Sequence, residues 1–334
     1  MLVTEYDRRS CVIALIRVAV IVCLAHLVST ARAGVLLYVV IENSSIVSFA
    51  ISKGTAAEVE ASMKTVINTN VNGPYGMVLD RHRNLYVANF FDNSISKFGP
   101  RGNYIGSITE SLNGPLGLAI DSTGDIYAAN FHASTISRFS ANGVLKSQIT
   151  AGLSGPVNLA FDSAGVLYAC NPAGYAITKY DTEGNLIGSI PAFTPEGIGF
   201  DRDGNIYAAL RDRNRVRKMD PFGNFIKVIG MDQVSAPSSI VFDAEGNFYV
   251  SSRGEPKVSK YDTEGNLLMS WNTTLNAYGM MYNPGLYPVP EPTSIATMSL
   301  IVGFGLLRMR RQMRTNGVLV GSGDVVSSET HFRK

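Results

Sequence analysis

The segment Gly114–Leu145 reads GPLGLAIDSTGDIYAANFHASTISRFSANGVL and contains one complete unit of a repeat. A tyrosine that follows an apolar residue marks the register of this repeat, and it recurs at intervals of 41, 41, 39 and 42 residues. A near-constant period in this range is typical of stacked or circular repeat folds. The five tyrosines are Tyr86, Tyr127, Tyr168, Tyr207 and Tyr249.

Each unit shows the same order of local signals. A Pro-x-Gly sequence, whose glycine is replaced by Asn158 and Ser239 in two units, opens a short apolar strand that ends in an aspartate six residues before the tyrosine. A turn rich in Gly and Asn, the tyrosine strand, a polar loop, a third strand, a second turn and a weaker fourth strand follow. Four short strands with tight turns and no helical period predict one blade of a β-propeller. The aspartates are Asp80, Asp121, Asp162, Asp201 and Asp243.

The repeated pattern G-P-x-G-[LM]-x-x-D-x-x-G-[ND]-[IL]-Y-[VA]-[AS]-[ND] resembles the NHL repeat and extends over about residues 71–271. This resemblance implies an all-β propeller built from four-stranded antiparallel blades. It says little about activity, because many unrelated functions occur on the same scaffold.

The two ends of the repeat region complement each other. Leu36–Ile51 matches the second and third strands of a blade, with Tyr38 in register, whereas Asn276–Tyr287 matches only an opening strand. We predict that they share one composite blade, which gives a six-bladed ring without exposed strand edges. About seven extra residues lie in Lys53–Lys64, and we expect a loop or one short helical turn there.

The N-terminus, residues 1–33, is typical of a secretory signal peptide, which we expect to be helical. Arg8 and Arg9 form a basic flank, an apolar stretch covers residues 12–28, and Ala31-Arg32-Ala33 is a cleavage sequence of the A-x-A type. An uncleaved anchor helix is the alternative. The propeller is then expected over residues 34–288.

The composition changes after the propeller. Residues 289–311 combine Pro-Glu-Pro, an apolar run too short to cross a bilayer comfortably and an arginine cluster. The motif residues are Pro290, Glu291, Pro292, Arg308, Arg310 and Arg311. This segment resembles the PEP-CTERM sorting signal.

The resemblance implies export through the inner membrane and recognition of a short C-terminal transmembrane helix by an exosortase-type enzyme. The protein would then be released or held at the cell surface, anchored in the membrane transiently or permanently. A plain C-terminal anchor and a buried strand are the alternatives for the same segment. Residues 312–334 extend beyond the usual end of such a signal, and we expect a disordered tail.

Charge and cysteine content argue against nucleic-acid capture, a disulfide framework and a reactive thiol. The net charge is +2, so electrostatic capture of nucleic acid is not expected. Of three cysteines, only Cys170 lies beyond the leader, which leaves no disulfide within a mature monomer. Cys170 falls in a tyrosine strand, where a buried and inert thiol is expected.

Strand connectivity places the variable loops on one rim of the propeller. The Pro-x-Gly segments and the loops after the tyrosine strands share this rim, which should surround one mouth of the central channel. Aromatic residues on one side and arginines on the other suit a carbohydrate, peptide or protein ligand. The candidate binding residues are Tyr75, Phe90, Phe91, Phe131, His132, Glu196, Arg211, Arg213, Arg253 and Tyr278.

Asn89, Asn130 and Asn171 also follow tyrosine strands, and we interpret them as structural turn residues. Ser238 occupies the variable position of its Pro-x-Gly segment and is expected at the channel mouth with the other residues of that position.

Fewer residues support an enzymatic function than a binding function. Gluconolactonase-like hydrolases hold a central divalent metal, but Glu196 is the only carboxylate at a Pro-x-Gly position. Streptogramin lyases use paired histidines and glutamates, whereas the propeller contains only His82 and His132, expected on opposite rims. We therefore expect a binding or scaffold module rather than an enzyme, with a purely structural matrix component as a third possibility. No cofactor is expected, and a divalent cation in the channel is the alternative.

Overall fold

The computed structural model describes residues 36–41, 45–51 and 54–283. These residues form six four-stranded antiparallel sheets, as the repeat predicted. Within this part of the chain, no helix is both long and apolar enough to cross a membrane. The predicted signal peptide (1–33), sorting segment (289–311) and tail (312–334) lie outside the described residues.

The strands follow the repeat closely. Blade 1 combines β24 with β1, β2 and β3; blades 2 to 6 take the remaining strands in chain order, four to a blade. The bounds are β1 Leu36–Ile41, β2 Ser45–Ala50, β3 Lys64–Ile67, β4 Pro74–Leu79, β5 Leu85–Asn89, β6 Ser94–Phe98, β7 Tyr104–Ile108, β8 Pro115–Ile120, β9 Ile126–Asn130, β10 Thr135–Phe139, β11 Leu145–Ile149, β12 Asn158–Phe161, β13 Leu167–Asn171, β14 Ala176–Tyr180, β15 Leu186–Pro191, β16 Pro195–Phe200, β17 Ile206–Leu210, β18 Arg215–Met219, β19 Phe225–Ile229, β20 Pro237–Phe242, β21 Phe248–Ser252, β22 Lys257–Tyr261, β23 Leu267–Asn272 and β24 Ala277–Asn283.

Blade 1 confirms the predicted composite blade. Strand β24 pairs antiparallel with β1, and Val39 lies opposite Met280 in this register. Each innermost strand contacts the innermost strands of both neighbouring blades, so that β24 packs between β20 and β4. The six blades therefore form a closed ring, in which the last strand of the propeller completes the first blade.

The extra residues between β2 and β3 form a short helix, α1 (Ala56–Ala61). Thr55 and Glu58 make a reciprocal capping box at its start, and Val59 is its buried residue. The side chain of Glu60 accepts a hydrogen bond from the backbone N–H of Asn272 at 3.1 Å. The helical turn expected here is confirmed, and it links blade 1 to the outer strand of blade 6.

The spacing between aspartate and tyrosine in the repeat has a direct structural cause. In blade 5, Asp201 Oδ1 accepts the backbone N–H of Asn205 at 2.9 Å, which closes the turn between β16 and β17. The Tyr207 hydroxyl donates to Asp201 Oδ2 at 3.3 Å, and Lys218 pairs with the same oxygen at 2.9 Å. Asp201 therefore joins three strands of its own blade, as do Asp121 with Arg138 and Asp243 with Lys260.

The core lies between the blades. The second strand of every blade from 2 to 6 is buried along its whole length, because neighbouring sheets cover both of its faces. This explains why these strands are continuously apolar rather than alternating. Cys170 in β13 is fully buried, as predicted.

Candidate functional site

A cavity of about 480 Å³ opens at the rim that carries the Pro-x-Gly segments. Its size falls within the range of small-molecule binding sites, and most of its walls are apolar. The lining residues are Ile41, Gly73, Pro74, Tyr75, Phe90, Phe91, Leu116, Phe131, Val157, Pro172, Glu196, Arg211, Arg253 and Tyr278.

Backbone hydrogen bonds connect the two kinds of loop that were predicted to share this rim. The Phe90 N–H donates to the Gly73 carbonyl at 3.0 Å, and the Phe131 N–H donates to that of Gly114 at 3.0 Å. The loop after each of these tyrosine strands is thus tied to the Pro-x-Gly segment of its own blade. Side chains from both kinds of loop therefore reach the channel mouth together.

Five of the six variable Pro-x-Gly residues line the cavity, and Ser238 does not. Ser238 is fully buried, its hydroxyl lies 2.9 Å from that of Ser251, and it also reaches the Tyr278 carbonyl at 2.8 Å. Its expected place at the mouth is therefore wrong, because a short hydroxyl side chain is held between two innermost strands. The five lining residues are Tyr75, Leu116, Val157, Glu196 and Tyr278.

One side of the cavity holds a buried carboxylate with charged and phenolic partners. Glu196 is only 2% exposed. Its Oε1 accepts a hydrogen bond from Arg211 Nη1 at 2.5 Å, and its Oε2 accepts one from the Tyr75 hydroxyl at 2.7 Å. Arg253 Nη1 lies 3.9 Å from Glu196 Oε1, as a second cation beside the same group. A buried carboxylate is tolerated here because it is both paired and hydrogen-bonded.

The phenol of Tyr75 stays protonated in this setting. Burial, followed by the charge of Glu196, raises the pKa of Tyr75 well above its ordinary value. The hydroxyl therefore acts as a donor to Glu196 throughout the physiological range. The Tyr75 ring also packs 5.6 Å from the ring of Tyr278, whose face is covered by the Arg253 guanidinium at 5.0 Å.

The opposite side of the cavity is aromatic. Phe90 packs edge-on against Phe91 at 5.4 Å between ring centroids and lies 6.4 Å from Phe131. Phe91 is 69% exposed and Phe131 36%, so this wall is open to solvent. His132 does not line the cavity; its ring packs behind the wall, 5.0 Å from Phe90 and 5.4 Å from Phe131.

Arg213 also lies outside the cavity lining, although the sequence grouped it with the other rim residues. It follows β17 in a 3₁₀ turn, Arg211–Arg213, and its guanidinium covers the Phe193 ring at 4.2 Å. Phe193 in turn stacks on Tyr175 at 5.1 Å. Sequence reasoning did not include Tyr175 and Phe193, because both lie in loops whose length and composition vary between blades.

The three loop asparagines have a structural role that differs from the one predicted. Asn89, Asn130 and Asn171 are buried at strand ends rather than placed in turns. The Asn130 oxygen accepts the Asn113 N–H at 3.1 Å, while its amide nitrogen donates to Ser137 at 2.9 Å. Each asparagine thus fixes the segment that leads into its own blade.

The described residues contain no group of three or more His, Cys, Asp or Glu side chains placed to hold a metal ion. Both oxygens of Glu196 already accept hydrogen bonds, and the nearby arginines make the position unfavourable for a cation. His82 lies in the turn between β4 and β5 and does not line the cavity, whereas His132 follows the cavity residue Phe131 in the loop after β9. Burial raises the pKa of the Cys170 thiol, which opposes a nucleophilic role.

No family model matches the sequence, and no curated protein matches it either. Among solved structures, a chain of the nidogen/laminin complex is similar with a TM-score of 0.65 and 17% identity, over 75% of this chain and 98% of that one. A streptogramin B lyase structure is similar with a TM-score of 0.57 and 14% identity, over 73% of this chain and 80% of that one.

A catalytically inactive variant of virginiamycin B lyase from Staphylococcus aureus, solved with quinupristin, is similar with a TM-score of 0.56 and 12% identity, over 75% of this chain and 92% of that one. At such identities these likenesses concern the fold. The chain shares the propeller architecture of proteins with unrelated activities.

Proposed function

We propose that this protein is a binding module whose ligand enters the cavity at the channel mouth. The observation that carries this proposal is the combination, in one cavity, of an exposed aromatic wall with a buried carboxylate, Glu196, that is hydrogen-bonded to Arg211. Apolar surface supplies affinity, and a few fixed polar groups orient a ligand, as in most small-molecule and peptide sites. The ligand classes in view are a glycan, a peptide or a segment of a partner protein.

The aromatic wall provides the direct test. We expect Phe131→Ala to weaken binding to a positive probe from a glycan or peptide array at least tenfold, because it removes one wall of the cavity. Phe222→Ala is the matched control: Phe222 is 83% exposed and lies in the turn between β18 and β19, away from the cavity lining. Equal losses in both variants would contradict a site at the mouth.

We further propose that the propeller is of the NHL type and reaches the cell surface through an exosortase-type system. The support is the repeat pattern and the Pro290-Glu291-Pro292 sequence followed by an apolar run and arginines. The membrane would hold the chain through this C-terminal segment before processing. The test is cell fractionation with mass spectrometry of the mature chain, in wild type and in Glu291→Ala. Cleavage unchanged by the substitution would contradict this sorting route.

A propeller lyase or hydrolase is the second candidate, favoured by the structural likeness to two streptogramin-type lyases. Incubation with quinupristin, followed by liquid chromatography and tandem mass spectrometry, would reveal a converted product if the activity is shared. A metal-dependent hydrolase would instead show a calcium- or zinc-dependent rise in melting temperature that Glu196→Ala abolishes. Absence of both effects leaves the binding module as the better proposal. If no ligand is found either, a structural matrix role gains support.

A further inference from the structure

The polar groups at the cavity differ in how much bonding capacity they retain. Glu196 is nearly inaccessible, and each of its oxygens already accepts a short hydrogen bond. The Tyr75 hydroxyl donates its hydrogen bond to Glu196. Arg211 donates to Glu196 and, through Nε, to Asp212 at 2.8 Å. These three groups therefore have their principal partners inside the protein.

Arg253 differs from Glu196 and Arg211, the other charged residues of the cavity. Its side chain is 40% exposed and lines the cavity. Its nearest carboxylate oxygen is 3.9 Å away, beyond hydrogen-bond distance, and its guanidinium donates no hydrogen bond to any residue in the described ranges. The face of Tyr278 at 5.0 Å holds the group in place without using its N–H donors. The cavity therefore offers the unused cationic donors of Arg253, whereas both oxygens of its carboxylate, Glu196, already accept hydrogen bonds.

An arginine in a largely apolar cavity selects for a planar anion that can accept two parallel hydrogen bonds. The aromatic wall of Phe90, Phe91 and Phe131 selects for an apolar or aromatic body. Resting on the proposed function of the mouth, we propose that this cavity binds a ligand with an aromatic or apolar body and a carboxylate, and that Arg253 is the residue that recognises the carboxylate. The carboxylate can belong to a small organic acid or to the C-terminus of a peptide.

Matched acid and amide probes test this proposal on the full wild-type chain. The first pair is 3-phenylpropanoate and 3-phenylpropanamide; the second is a short peptide ending in phenylalanine, with a free or an amidated C-terminus. Calorimetry or ligand-observed NMR gives the affinities. We expect the acid of at least one pair to bind at least tenfold more tightly than its amide, and the pair that discriminates more strongly identifies the source of the carboxylate.

Variants then assign the effect to Arg253. Arg253→Met keeps the aliphatic stem but removes the charge, so it should abolish the preference for the acid, whereas Arg253→Lys should retain part of it. Arg101→Met is the matched control, because Arg101 is exposed in the turn between β6 and β7 and does not line the cavity. Its preference for the acid should equal that of wild type. Melting temperatures measured alongside identify any variant that fails to fold.

The outcomes separate this inference from the proposed function. If the acid and the amide bind equally, recognition of the carboxylate is overturned. If both also lose affinity in Phe131→Ala, the proposed binding site at the mouth stands. A preference for the acid that survives in Arg253→Met would also overturn the assignment. Failure of all four probes to bind would overturn the inference, and the proposed function would then be judged on the array experiment alone.

Discussion

One buried carboxylate, Glu196, anchors the polar side of the channel mouth. Glu196 is buried, and its two oxygens are held by residues from blades 2 and 5. Tyr75 and Glu196 are 121 positions apart, so this hydrogen bond exists only because the blades converge on one axis. The carboxylate is therefore both a site residue and a cross-link between opposite parts of the ring.

Removal of this charge should destabilise the propeller. We expect Glu196→Gln to lower the free energy of unfolding by about 2 kcal/mol, because Arg211 loses the more buried of its two carboxylate partners and Tyr75 loses its carboxylate acceptor. The value lies below that of a fully buried pair, since the Arg211 side chain is 34% exposed. Urea unfolding measures the change. Glu183→Gln, in an exposed turn, is the control and should change stability by less than about 0.5 kcal/mol.

Much of the fold could be predicted from the sequence, because it depends on signals that repeat. Register, turns and blade number follow from the tyrosine and Pro-x-Gly spacing, and the unmatched ends indicated the composite blade. The site could be predicted only as a set of rim residues. The burial of Ser238 and the separation of His132 from the cavity depend on contacts across the ring, for which one repeat contains no local signal.

The loops between the second and third strands carry a repeated latch between blades. In three of them, the residue seven positions after the repeat tyrosine has a left-handed backbone and accepts a hydrogen bond from the start of the next blade. Asn93 accepts from Gly114 N at 2.6 Å, Ser134 from Gly155 N at 3.1 Å and Asn214 from Ala236 N at 2.8 Å. In blade 4, Tyr175 occupies this position with φ of 51°. It has no short polar side chain with which to form the latch.

Restoring the latch should stabilise the protein. We expect Tyr175→Asn to raise the free energy of unfolding by about 1 kcal/mol, since asparagine tolerates the left-handed backbone and can accept the Thr194 N–H. The loss of stacking between Tyr175 and Phe193 offsets only part of this gain, because a ring that is more than half exposed contributes little stability. Urea unfolding is the measurement. Tyr175→Phe, which changes neither backbone nor latch, should match wild type. A less stable asparagine variant would show that the Tyr175–Phe193–Arg213 stack outweighs the latch.

At the scale of the whole molecule, ring closure depends on how closely the innermost strands approach. Gly279 of β24 faces the backbone of β4, and a Cβ at this position would overlap the carbonyl oxygen of Tyr75. The same arrangement recurs between Gly76 and β8 and between Gly197 and β20. The motif glycine is thus required by the contact between blades rather than by a turn. It also sets the position of Tyr75 and Tyr278 at the channel mouth.

This close approach makes Gly279 the most informative position at which to perturb closure. We expect Gly279→Val to lower the free energy of unfolding by about 3 kcal/mol, because backbone from two blades must separate to admit the side chain. Gly106→Val in β7 is the matched control, since a Cβ there meets nothing within 4 Å and valine favours strands. Thermal unfolding and limited proteolysis report both effects. The contradicting result is a Gly279→Val variant with the melting temperature and the ligand affinity of wild type. The ring closure and the shape of its mouth would then not depend on the contact between β24 and β4.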